Sequence, residues 1–307
     1  MPFSLSLSLA LFLAPAIAQA QAIPRVVVGA DGRYEHRIDP KTRVDGVSPA
    51  VMVEFRRQFG AMVDYVDSLP AVNTPPAPIC HRLSTYIEVA ARFGVPGASL
   101  SVMTPINFTN GKCHNMTGGG FELYVNKHDT LISSQRASWR GAEQGTTDWF
   151  VLDRKGFTPG RIQLAPATFA LFRADRPLMR PVSRERVLRQ QIGEEPPAIT
   201  GDRLVDGLRA DHQRRQAMLA AMSPADRAAP ACMARDGPWI DLQGCATGLQ
   251  VWEFVPDYYD RKRAGDFQVI VLSSPTNRYH GESEQIYASR RAMLGQLDLN
   301  RLAGMIR

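Results

Sequence analysis

The chain of 307 residues is poor in cysteine and lysine, and past its first two dozen residues it has no long apolar run. Its four cysteines include no Cys-x-x-Cys, which excludes the dithiol motif that lowers a thiol pKa and the Cys-x-x-Cys-His attachment of haem. Lysine occurs only at positions 41, 112, 127, 155 and 262, so arginine supplies nearly all of the 36 cations. That bias, with the arginines scattered among aspartates, points to GC-rich coding more than to phosphate binding. The net charge of +6 is nowhere gathered into a basic run with interleaved aromatics, and no nucleic-acid partner is expected. Gly-x-Ser-x-Gly and Ser-x-x-Lys are both missing, which excludes the usual serine-nucleophile layouts. Gly118 to Gly120 open a strand instead of a Lys-Ser/Thr helix start, so they read as a flexible turn and not as a phosphate loop.

What is present begins with MPFSLSLSLALFLAPAIAQAQA. The stretch from Phe3 to Ile17 is uncharged, and small residues follow at Ala16, Ala18, Ala20 and Ala22. This is the layout of a secretory signal peptide over residues 1–20, although no Lys or Arg precedes the apolar run. A periplasmic or secreted protein is expected, with no membrane span after signal removal, since no later stretch of about 18 apolar residues exists. In an oxidising compartment an even cysteine count favours bridges. Sequence neighbourhood pairs Cys80 with Cys113 and Cys232 with Cys245. Closing the second loop would contribute about 3 kcal/mol. The dipeptides Cys80/His81 and Cys113/His114 raise a zinc site as the alternative. Adjacent strand residues point to opposite faces, which hinders convergence of both pairs, so no metal and no cofactor are expected.

At 44% hydrophobic, the chain can build a real core. Three regions follow the signal: residues 21–78, 79–180 and 181–307. In the first, SPAVMVEFRRQFGAMVDYVDSLP reads as a helix capped by Ser48. Its apolar stripe is Met52, Phe55, Phe59, Met62, Val63 and Val66. The proline-rich stretch 70–78 reads as an extended linker or a wrapped connection.

The second region is β-rich: ASLSVM, FELYVN, DTLISS, DWFVLD, GRIQL and TFALF read as strands, with a hairpin turning near Lys127 to Asp129. STYIEVAARF suits either helix or strand. In the third, a helix capped by Ser183, a half-exposed helix over 202–222 and a short helix after the capping box SPAD form a helical insert. Strands LQVWEFV and FQVIVLS come next, then a helix broken near Gln296 to Asp298. Clustered strands give an α+β fold with a β-rich centre, a helical insert and C-terminal strands and helix.

The phrases RPLMRPVSRERVLRQQI and VPDYYDRKRAGDFQVIVL, separated by an Arg/Asp-rich helix, resemble a pattern in exported bacterial proteins of no established activity. There a Pro-Val-Ser/Thr-Arg-Glu helix start precedes an Asn-Pro-x-Tyr/Phe-Phe-Asp segment; here Val255 takes the place of the Asn. The resemblance covers about residues 177–272 and implies envelope company, not a mechanism.

Two places carry chemistry. His280 in RYHGESEQ, with Glu282, could serve as acid and base of a hydrolase, or the stretch could be a loop leading into a helix capped by Ser283. Trp239, Trp252, Phe254, Tyr258 and Tyr259 could line a groove, or pack in a core as half-buried strands do. The leading expectation is a non-enzymatic binding or envelope-associated module whose partner is a small molecule or an envelope protein. The alternative is a periplasmic or secreted hydrolase with acid and base from distant segments. Leu208 and Leu219, on the half-exposed helix, are candidates for a partner surface.

Overall fold

The computed structural model describes residues 25–29, 32–37, 44–77, 79–104, 107–109, 112–114, 119–133, 149–193, 203–233, 240, 245, 249–275, 278 and 282–307. The signal segment, Trp239, His280 and the Cys113 side chain lie outside them.

In chain order the strands and helices are β1 (Arg25–Gly29), β2 (Gly32–Arg37), α1 (Pro49–Asp67), α2 (Pro70–Asn73), β3 (Cys80–Ile87), β4 (Ala98–Met103), β5 (Asn107–Thr109), β6 (Lys112–His114), β7 (Phe121–Val125), α3 (Thr130–Ser133), β8 (Trp149–Leu152), β9 (Phe157–Thr158), β10 (Arg161–Ala165), β11 (Thr168–Phe172) and β12 (Met179–Pro181). Then come α4 (Arg184–Gly193), α5 (Arg203–Ala221), α6 (Pro224–Ala228), β13 (Cys232–Met233), β14 (Leu249–Phe254), β15 (Val269–Ser273), α7 (Glu284–Gln296) and α8 (Leu299–Ala303).

The fold is α+β. Among the described residues, a nine-stranded sheet runs β1-β2-β3-β4-β7-β15-β11-β10-β9, and a smaller one joins β12, β14 and β13, with β8 on β14. Strands β2 and β3 are parallel, and α1 forms the crossover such a pair requires.

The first four residues of VIVLS are apolar because β15 is buried on both faces. Ile270 and Leu272 join Phe55 and Met62 of α1, Met293 of α7 and Leu302 of α8. Val269 and Val271 face the opposite way, toward Phe150 and Leu152 of β8 and Trp252 of β14. The far face of the small sheet, with Trp149, Val151 and Val251, receives Val187 and Leu188 of α4. The layers therefore run helices, large sheet, small sheet, helical insert, with the alternation along each strand deciding which core a side chain enters.

All six stripe residues expected on α1 are buried, each contributing about 2 kcal/mol. Caps fall at Ser48, Ser183, Ser223 and Ser283, whose hydroxyls accept from the amides of Val51, Arg186, Asp226 and Ile286. Asp298 caps α8 after the expected break. Of the ambiguous STYIEVAARF segment, residues 84–87 belong to strand β3, because Leu83 and Ile87 alternate into the core beneath α1.

Three expectations are corrected. The segment after β7 does not return as a strand: it turns at Asn126, which sits at φ 54°, and Thr130–Ser133 is a helical turn. Of the two readings of the proline-rich stretch, the extended linker is the one that fails, since Pro70–Asn73 is helical and Val72 is fully buried in the core. Gly120 is no flexible turn. It is buried against β4, and a Cβ there would overlap the Val102 carbonyl oxygen.

Cys232 and Cys245 form the expected disulfide. Cys80 is disulfide-bonded as well. No described helix is long and apolar enough to cross a membrane.

Candidate functional site: an aromatic cleft

Between the turn after β3, the turn after β7 and the loop after β14 lies a cleft of about 330 Å³. Each wall is held by a buried amide side chain or a special backbone position. Asn126 is 2% exposed; its Oδ1 accepts from the amides of Gln268 and Val269 at 2.8 and 3.3 Å, and its Nδ2 donates to Pro96 and Asp266 carbonyls at 3.2 and 3.1 Å. With its full hydrogen-bonding capacity spent, the left-handed turn at Asn126 is fixed, and His128 is delivered two residues later. Gln268 does the same for the opposite wall. Its Oε1 accepts from the Asp260 amide at 2.7 Å, and its Nε2 donates to the carbonyls of Asp260 and Arg263 at 2.9 and 3.2 Å. The Tyr258 hydroxyl donates to the Gln268 carbonyl at 3.2 Å.

Four rings meet in this space. The His128 ring centroid stands 4.5 Å from that of Phe93, 4.2 Å from Phe254 and 5.4 Å from Tyr259. Phe93 and Tyr259 stack at 5.3 Å. Phe93, His128 and Phe254 are partly exposed, whereas Tyr258 and Tyr259 are buried behind them. His128 Nδ1 and the Tyr259 hydroxyl are 3.0 Å apart, and the hydroxyl also accepts from the His128 backbone amide at 3.4 Å.

Burial holds the His128 imidazole down at about 4, against opposition from Asp129 and with help from the Arg92 guanidinium. The ring is therefore neutral at physiological pH. Burial also pushes the Tyr259 phenol well above its usual range, and Tyr258 up to about 12. The floor is uncharged and aromatic.

Charge is confined to the rim, where Arg92, Asp257 and Arg261 stand. Arg92 is ion-paired with Asp129 and lies over the Phe93 ring at 5.6 Å. Asp257 occupies the left-handed region at φ 52°, a conformation that costs an L-residue about 1 kcal/mol. Its carbonyl accepts from Arg176 at 3.1 Å.

The structure brings Tyr258, Tyr259 and Phe254 together as lining of one cleft. Trp252 is elsewhere: it is buried and stacked on Phe157 with centroids 3.8 Å apart. Trp239 and His280 lie outside the described residues. Glu282 is 3% exposed, and its Oε2 accepts from Nη2 of Arg290 at 2.9 Å, anchoring the loop before α7. Leu219 packs against the insert's core, while Leu208 is 46% exposed.

Sequence reasoning missed His128, Phe93, Arg92 and Arg261. His128 was hidden by the expected hairpin, and no local period links residues 92, 128, 254 and 261.

A second, larger cleft of about 630 Å³ lies between β10, β11 and α8. Its charged groups are occupied by neighbours: Arg173 Nε donates to Asp175 at 2.9 Å, and Arg161 stacks on Phe169 at 5.5 Å. It offers no converging rings, so the smaller cleft is the better candidate. Comparison of the chain with family models, curated proteins and solved structures finds no match in any of the three.

Proposed function

We propose that this is an exported, non-enzymatic binding protein whose aromatic cleft holds a small ligand with a flat ring. The observation that carries the reading is the convergence of Phe93, His128 and Phe254 on one opening, with ring centroids 4.2 to 4.5 Å from His128. Aromatic faces partly open to solvent and fixed by buried amides favour stacking on a planar guest. The low imidazole pKa of about 4 supports binding over hydrolysis, because a general base works best with a pKa near the working pH. Export is supported by the Cys232–Cys245 bridge, by the N-terminal signal pattern and by the resemblance over residues 177–272 to exported proteins.

Ligand-observed NMR with indole and phenol tests the reading. Saturable binding is expected, weakened about tenfold or more in Phe93→Ala and in Phe254→Ala. No binding of either ring, or affinity unchanged in both folded variants, would overturn it.

A further inference from the structure

We infer that the ligand of the aromatic cleft carries a carboxylate and that Arg261 receives it. This inference rests on the cleft being a ring-binding site, and it adds the chemical class of the guest.

Among the described residues the rim has two arginines and one acid, Asp257. Arg92 is already committed to Asp129, and its guanidinium lies over the Phe93 ring. Arg263, next along the loop, is committed to Asp266 at 2.9 Å. Arg261 has no ion pair or hydrogen bond among the described residues, yet it is not a loosely placed surface cation. Its Nε would lie 2.7 Å from a Cβ at Gly94, so the absent side chain at Gly94, which is held at φ 75°, leaves the channel through which the guanidinium reaches the cleft. Gln268 pins the backbone on both sides of Arg261, at Asp260 and at Arg263.

The chemistry of the guest follows from this placement. A guanidinium presents a planar fork that matches a carboxylate with two parallel hydrogen bonds, and its face tolerates an aromatic neighbour. A floor built from Phe93, neutral His128 and Phe254 supplies no competing charge. A flat ring on the floor with a carboxylate at Arg261 satisfies both halves of the site. A cationic guest would instead have to sit beside an arginine.

Calorimetry with indole-3-acetate, indole-3-acetamide and indole tests this on the full chain and on Arg261→Ala and Arg261→Lys. Arg261 is exposed, so both variants are expected to keep the parent's thermal midpoint. In the parent the acid should bind about tenfold more tightly than the amide, with a preference that shrinks as salt is added. In Arg261→Ala that preference should vanish; in Arg261→Lys it should return in part. Equal binding of acid and amide by the parent, or a preference that survives in Arg261→Ala, would overturn the carboxylate assignment and leave the ring site standing. Failure of all three probes to bind would overturn the ring site, and the assignment with it.

Discussion

The Nε2 of His81 and the Oγ of Ser289 stand 2.9 Å apart in the interior, with the other ring nitrogen 2.8 Å from the Val72 carbonyl. A carbonyl only accepts, so Nδ1 carries the proton and Nε2 accepts from the serine hydroxyl. The ring joins β3, α2 and α7 and is neutral, with burial holding it down at about 4. His128 is held down to a similar value by burial. Both imidazoles are deprotonated in the folded chain but titrate near 6.5 when unfolded, so the unfolded state binds more protons between those values. We predict stability that is full above pH 6.5 and lost as pH falls toward 4, by about 3 kcal/mol at most for each histidine. Denaturant midpoints between pH 7.5 and 4 check this. His128→Phe should remove its share of the slope.

Glu282 and Arg290 form an ion pair with side chains 2% and 1% exposed. Removing one partner strands a buried charge, and Glu282→Leu alone is expected to cost about 3 to 5 kcal/mol. Glu282→Leu with Arg290→Met should recover most of that loss. A urea titration of the two variants measures the difference.

Replacement of both Cys232 and Cys245 by alanine opens a loop whose ends are 13 residues apart in sequence. The expected loss is about 3 kcal/mol, chiefly from a less restricted unfolded chain. Equilibrium unfolding of this variant beside the parent reads the loss directly.

Gly120→Ala should be among the most damaging small substitutions, because the new methyl meets the backbone of Val102 and Met103 and no flexible side chain can yield. A cost of about 3 kcal/mol is expected. Gly60→Ala, where nothing lies within 4 Å, is the matched control and should stabilise α1 by about 0.5 to 1 kcal/mol.

Much of the architecture was legible locally. The stripe on α1, the serine caps and the break before Asp298 follow from spacing and hydrogen-bonding chemistry within one turn. Strand β15 was legible as an apolar run, but its two-faced burial depends on which sheets flank it. The β7 hairpin misled because Asn126 owes its left-handed turn to Gln268, more than a hundred residues away, and no local pattern encodes that partner. Gly120 likewise owes its place to the β4 backbone. For the cleft, Tyr258 and Tyr259 were visible as an aromatic cluster. His128 and Arg261 were not, since the rings and cations meet only through the tertiary packing of three loops.

The most direct test of the ring-binding cleft is the imidazole resonance of His128, assigned by its loss in His128→Gln and followed by NMR through a titration with indole. We predict a saturable shift of that resonance, with the partly exposed His212 on α5 unmoved. Saturable indole binding with His128 unshifted would contradict the assignment of the cleft.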